Sequence, residues 1–340
     1  MKKAWMLLFL ILLVSCSTTG SQAPEGLHKA NAQAQDLPGI SETAEETVTT
    51  GEEPASAGQV TGEKSTSSGG RTGANPEGPG KDAGKSLKPT HINKDGKTVE
   101  ERIGTPEGFE RVKVEEGSFG HYLRTLPLKP DGTKVHYYNG GIKPVDVHAA
   151  VLDIDIGTRD LQQCADAVIR LRAEYLYGKG LYDKIHFNFT NGFRADYTTW
   201  MQGNRIAVEG NKAYWVKRTG YSDDYESFRR YLDMVFAYAG SLSLSREMEN
   251  IPVEGMQAGD VFIEGGLPGH TAIVLDMAEN KDTGEKIFIL AQSYMPAQDI
   301  HILRNPSDDG LSPWYSTGFG NVLDTPEWQF DKDRLYRFKE

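Results

Sequence analysis

From Ser17 to Gly104 the chain contains no Phe, Tyr or Trp, and that gap decides where a hydrophobic core can form. Ser, Thr, Gly, Glu, Ala and Pro dominate the stretch. Such a composition buries too little apolar surface to offset the entropy of ordering it, so residues 17–104 are expected to be a disordered spacer. Aromatic residues return at Phe109. The folded part is therefore placed at residues 105–340, about 235 residues, enough for a self-sufficient core.

The first residues read as an export signal. Lys2 and Lys3 precede an apolar run from Ala4 to Val14, too short for a permanent membrane span. Leu13-Val14-Ser15-Cys16 also matches the bacterial lipobox, which makes residues 1–16 a lipoprotein signal with Cys16 acylated. Each buried methylene of an acyl chain contributes about 0.8 kcal/mol. A multiply acylated Cys16 is thus expected to tether the protein to a membrane of the cell envelope, with the rest of the chain outside the cytoplasm. The formal charge of −11 argues against a nucleic-acid partner and leaves uncharged or zwitterionic polymers open.

The sequence has two cysteines. With Cys16 spent on lipid, Cys164 has no intramolecular disulfide partner, and a domain of this size does not need one. Asp160 is expected to cap a helix whose inward positions include Leu161, Cys164 or Ala165, Val168, Leu171 and Tyr175. That places the thiol near a helix N-terminus, where partial positive charge favours thiolate. Asp160 and Asp166 oppose that effect.

Downstream, Val261 to Ile263, Thr271 to Leu275 and Ile287 to Ala291 are short runs bounded by turn formers. They predict three antiparallel strands with His270 at the opening of the middle one, facing the cysteine helix. Pairing Met277 with Lys286 would set His270 opposite Ser293, one residue from Gln292, whose amide oxygen could orient the imidazole. Asp276 lies about 20 Å along its own strand from His270, too far for that role. Ala150, Leu152, Ile154 and Ile156 alternate with Asp153 and Asp155 in another predicted strand, whose carboxylates read as a solvated face. Tyr225, Phe228, Leu232, Val235 and Phe236 keep helical spacing after Ser222 and before Gly240. His148, His186 and His301 are scattered, so neither a metal nor a cofactor is expected.

Gly-Asp-Val-Phe-Ile from 259 and Gly-His-Thr-Ala-Ile-Val from 269, preceded by Gln163-Cys164-Ala165, resemble the papain-like cell-wall amidases of the CHAP and NlpC types. Residues 123–128, 162–177 and 291–299 carry a second resemblance, to a family of bacterial lipoproteins known as a domain of unknown function. The amidase resemblance implies an α+β, papain-like fold, with the Cys164 helix packed on a small antiparallel sheet. It also implies Cys164 as nucleophile, His270 as base, Gln292 as orienting residue, and Gln163 or the Cys164 backbone N–H as oxyanion donor. The substrate would then be a peptide amide, as in peptidoglycan. The competing expectation is an inactive surface module gripping glycan or peptide through Trp200, Trp215, Trp314 and Trp328.

Overall fold

The computed structural model describes residues 91–339. The signal, Cys16 and the spacer as far as residue 90 lie outside the described residues. The folded part begins earlier than expected. Thr98 caps a short helix, Val99–Arg102, and Ile92 bridges Ile103. Val99 and Ile103, fully buried, are part of the core. This one aliphatic pair at helical spacing was hidden by the absence of aromatics around it.

The dominant element is a nine-stranded antiparallel sheet. Its main path runs His148–Val151, His301–Leu303, Lys286–Gln292, His270–Asn280, Val261–Glu264, Leu335–Arg337 and Glu249–Asn250. Phe109–Arg111 extends it by pairing with the far end of His270–Asn280, and Trp314–Ser316 by pairing with Lys286–Gln292. The expected papain-like arrangement of a helix on a small sheet is therefore incorrect. Several added strands are two or three residues long, too short for alternation to reveal them.

Both faces of the central strands are covered, so His270–Asn280 reads as a nearly continuous apolar run. On one face Ile263, Ile273, Leu275, Ile287 and Ile289 pack with Ala165, Val168 and Leu171 of the cysteine helix, Cys164–Gly178. On the other, Phe262, Val274, Phe288 and Leu290 pack with Leu323, Phe330 and Leu335. Each such side chain, fully buried, contributes roughly 1.5–3 kcal/mol. The helix Tyr225–Tyr238 is capped by Asp224. Its buried Phe228, Tyr231, Leu232 and Val235 join the first cluster. Asp153 and Asp155 are solvated.

The strand register also departs from expectation. Met277 pairs with Phe288, not Lys286, and an irregularity at Ile289/Leu290 leaves Leu275 as the extra residue on its strand. Beyond it Ala291 pairs with Ile273. Continuing that register sets Gln292 opposite Ala272, two residues from His270 and on the same face.

Candidate active site

Gly269 fixes where the histidine begins its strand. A Cβ there would lie 2.5 Å from the Gly266 carbonyl oxygen and 2.9 Å from that of Glu264, so only glycine lets the turn close this tightly. His270, 1% exposed, then enters the sheet opposite Glu264. Its Nε2 is hydrogen-bonded to Gln292 Oε1 at 2.7 Å. The ring stacks on Phe330 with centroids 5.8 Å apart and touches Trp328 and Tyr294 at 5.2 and 4.8 Å. These contacts place the imidazole on the second apolar cluster's side of the sheet. The expectation that it faces the body of the cysteine helix is corrected by them.

Cys164 reaches the strand at Thr271, because it is the first residue of its helix. Gln163, not Asp160, is the N-cap. Asp160 Oδ1 instead accepts from the Ala297 N–H at 2.7 Å, and Ser293 Oγ donates to the Gln162 carbonyl at 2.9 Å, fastening the helix start to the segment that follows Gln292. The sulfur lies by the peptide N–H of Thr271, which immediately follows His270; that N–H, the Ala165 N–H and the Thr271 hydroxyl all favour the thiolate. The Thr271 hydroxyl is buried and makes no hydrogen bond of its own. Tyr294 packs on His270, and its hydroxyl is raised by burial, then by the Glu327 carboxylate and, where it ionises, by the Cys164 thiolate.

Burial dominates the electrostatics. It pushes the Cys164 thiol up to about 11, with the Asp166 carboxylate adding to the shift. Burial pushes His270 down to about 4, against the Gln292 hydrogen bond, and the Lys143 charge lowers it further. At neutral pH the pair is a thiol and a neutral imidazole. Burial also raises the Asp166 carboxyl well above its ordinary range, which lessens its repulsion of the thiolate. His301, opposite Gln292 in the sheet, is driven down to about 3 by burial.

The folded values of His270 and His301 lie below the ordinary imidazole value, so the unfolded chain binds more protons in acid. The stability they contribute is complete above about pH 6.5 and is lost as pH falls through about 4 for His270 and about 3 for His301. Titration of the imidazole NMR signals is expected to leave both rings neutral from pH 7 to 5. A signal for His270 that titrates near 6.5 would contradict its burial and packing.

Gln163 donates through Nε2 to Asp160 Oδ1 at 3.0 Å, and its backbone N–H donates to Asp166 Oδ2 at 3.1 Å. Its side chain could serve an oxyanion only by giving up the Asp160 bond, whereas the Cys164 backbone N–H belongs to the first helical turn, which has no intrahelical acceptors. Trp200 and Trp314, 5% and 0% exposed, are core residues and cannot serve as a binding platform; Trp328 is part of the site. Among the described residues no three His, Cys, Asp or Glu side chains form a metal-holding group.

Four contacts were absent from the sequence reading. Gln292 Nε2 donates to Glu327 Oε2 at 2.8 Å, Lys143 Nζ donates to Glu327 Oε1 at 2.6 Å, Lys143 sits over the Tyr294 ring at 5.4 Å, and Trp328 covers His270. Glu327 and Trp328 lie in the turn between the strands Val322–Asp324 and Gln329–Asp331. A shallow, widely open depression of about 570 Å³ lies between that turn and Glu264, and neither Cys164 nor His270 lines it. The adjacency of Glu327 and Trp328 was visible in the sequence, but nothing local in it points to a histidine about sixty residues earlier.

A family model described as Domain of unknown function (4846) matches residues 99–337. The chain belongs to that family. The match begins at Val99, the first residue of the short helix that extends the folded part beyond its expected start, and contains Lys143, Cys164, His270, Gln292 and Glu327. For this family member, no curated protein and no solved structure gave a match.

Proposed function

We propose that this protein is an exported, membrane-anchored hydrolase that uses Cys164 and His270 to cleave amide bonds in cell-wall peptide. The observation that carries the reading is a buried imidazole, oriented by Gln292, whose own peptide link to Thr271 meets the Cys164 sulfur. A thiol at a helix start followed along the chain by a strand-borne histidine is also the order of the CHAP- and NlpC-type amidases. The likeness invoked is one of chemistry, not of fold.

In this reading the ring nitrogen not engaged by Gln292, Nδ1, takes the thiol proton as sulfur attacks the amide carbonyl. The Cys164 N–H and the positive end of its helix face the developing oxyanion. The C–N bond breaks as the imidazolium returns its proton to the departing amine, leaving a thioester. Water, deprotonated by the same nitrogen, then releases the acid and restores the thiol. The shallow surface at Glu327 and Trp328, which contact Gln292 and His270, is the open face nearest the imidazole that a peptide stem could approach. Leu267 and Met295, 97% and 58% exposed, leave from the same end of the sheet. The lipobox at Cys16 supports a membrane tether, and the aromatic-free stretch supports a spacer between that tether and the site.

The test is to incubate the full chain with peptidoglycan stem peptides and identify new amine and carboxyl ends by mass spectrometry. Cleavage by the wild type and none by Cys164→Ala is expected. Intact stems in both, or equal cleavage by both, would remove the hydrolase reading.

A further inference from the structure

We propose that Glu327 and Lys143 are positioning residues for His270: acting through Gln292, they select the imidazole tautomer whose Nδ1 can accept a proton. Only the consequence for Cys164 rests on the hydrolase reading. The tautomer follows from hydrogen bonding alone.

The Gln292 amide has one accepting end and one donating end. Its Nε2 is 2.8 Å from Glu327 Oε2 and its Oε1 is 2.7 Å from His270 Nε2. Glu327 receives a donor at each carboxylate oxygen, the Gln292 amide at one and the Lys143 ammonium, 2.6 Å away, at the other. An acceptor at that place requires the nitrogen of Gln292 to face it, so the oxygen of Gln292 faces the ring. An amide oxygen only accepts, so His270 Nε2 carries the proton. A neutral imidazole has one such proton, which leaves Nδ1 with its lone pair.

Without Glu327 the amide could rotate by half a turn and donate to Nε2, moving the ring proton to Nδ1. That tautomer cannot take a proton from a thiol. Burial supports a constrained arrangement, since Lys143, Gln292 and His270 are 8%, 2% and 1% exposed. The Lys143 charge also lowers His270 and His301, disfavouring the imidazolium that would blur the distinction. His301 has its own fixed tautomer, with Nδ1 donating to the Asp299 carbonyl at 2.8 Å, so it does not compete for Gln292.

Glu327→Gln makes a sharp test because it keeps the shape and inverts the polarity. Lys143 still donates to the oxygen of the new amide, whose NH2 end must then face Gln292. Gln292 turns its oxygen to that group and its nitrogen to His270. Nitrogen-15 NMR of the imidazole in the full chain at pH 7 is expected to show Nε2–H in the wild type and Nδ1–H in Glu327→Gln. Adding Lys143→Met frees the amide at 327 to rotate, and the doubly substituted protein is expected to regain Nε2–H signal. Iodoacetamide labelling of Cys164 should slow at least tenfold in Glu327→Gln and recover in part with the second change. A merely structural role predicts the opposite order, with the double variant furthest from wild type. Retention of Nε2–H in a folded Glu327→Gln protein overturns the proposal. An inverted tautomer with unchanged labelling supports the positioning role and counts only against the hydrolase reading.

Discussion

Cys164→Ala is expected to lower kcat/KM for the proposed stem-peptide cleavage by a factor on the order of 10⁴ or more, and His270→Ala by nearly as much. Residues that act as a nucleophile and base unit show such non-additive losses, because either half is of little use alone. The pair is neutral at rest, with the thiol pushed up to about 11 and the imidazole down to about 4. Thiolate is scarce near pH 7 unless the imidazole takes the proton during attack, so the base carries a large share of the rate. Steady-state kinetics on the two variants and their combination checks this. Single and double variants that lose activity additively would show two independent groups. A Cys164→Ala protein within tenfold of wild type would exclude the thiol from the reaction.

The largest expected effect on stability lies at Asp276. Its carboxylate is fully buried, accepts from Arg111 Nε at 2.8 Å, from Arg124 Nε at 2.9 Å and Nη2 at 2.6 Å, and from the Met277 N–H at 2.9 Å. It thereby fastens the strand Phe109–Arg111 and the helix Phe119–Arg124 to the long strand at its bulge. Asp276→Ala leaves two largely buried guanidinium groups facing each other and is expected to cost about 3–5 kcal/mol in chemical denaturation. Burial raises the Asp276 carboxyl above its ordinary value even against both arginines, and taking three charges out of water offsets much of what their pairing contributes. Replacing all three residues with apolar ones should therefore cost far less than removing the aspartate alone. Equal losses for the single and triple changes would contradict that account.

Asp276 also shows how far the sequence could be read. Its distance along the strand ruled it out as the partner of His270, but Arg111 and Arg124 lie 165 and 152 residues away, and no local pattern ties them to it. The three central strands were legible because β-branched and aromatic residues ran between glycine-rich turns. Gln292 was legible only as a neighbour of the expected pairing partner, since a bulge that changes the register has no signature in composition. The cysteine helix was found, but Asp160 looked like its cap although its carboxylate serves the Ala297 N–H. Glu327 and Lys143 were missed because a buried ion pair that meets a third element carries no periodicity. The full sheet was missed for a related reason: strands of two or three residues owe their conformation to the strand beside them.

The proposed reaction requires Cys164 and His270 to act together, and the alkylation rate of Cys164 tests that most directly. The rate constant for iodoacetamide at Cys164 would be followed by peptide mass spectrometry from pH 4 to 10, in wild type and in His270→Ala. General-base assistance is worth about 10²–10⁴-fold, so wild type should react faster at pH 7 by at least the lower figure. Its profile should fall away only as the imidazole protonates near 4, while the variant should climb without a plateau towards the thiol value of about 11. Superimposable profiles would mean that the imidazole does not serve the thiol, and would leave Cys164 as a buried residue of the helix start.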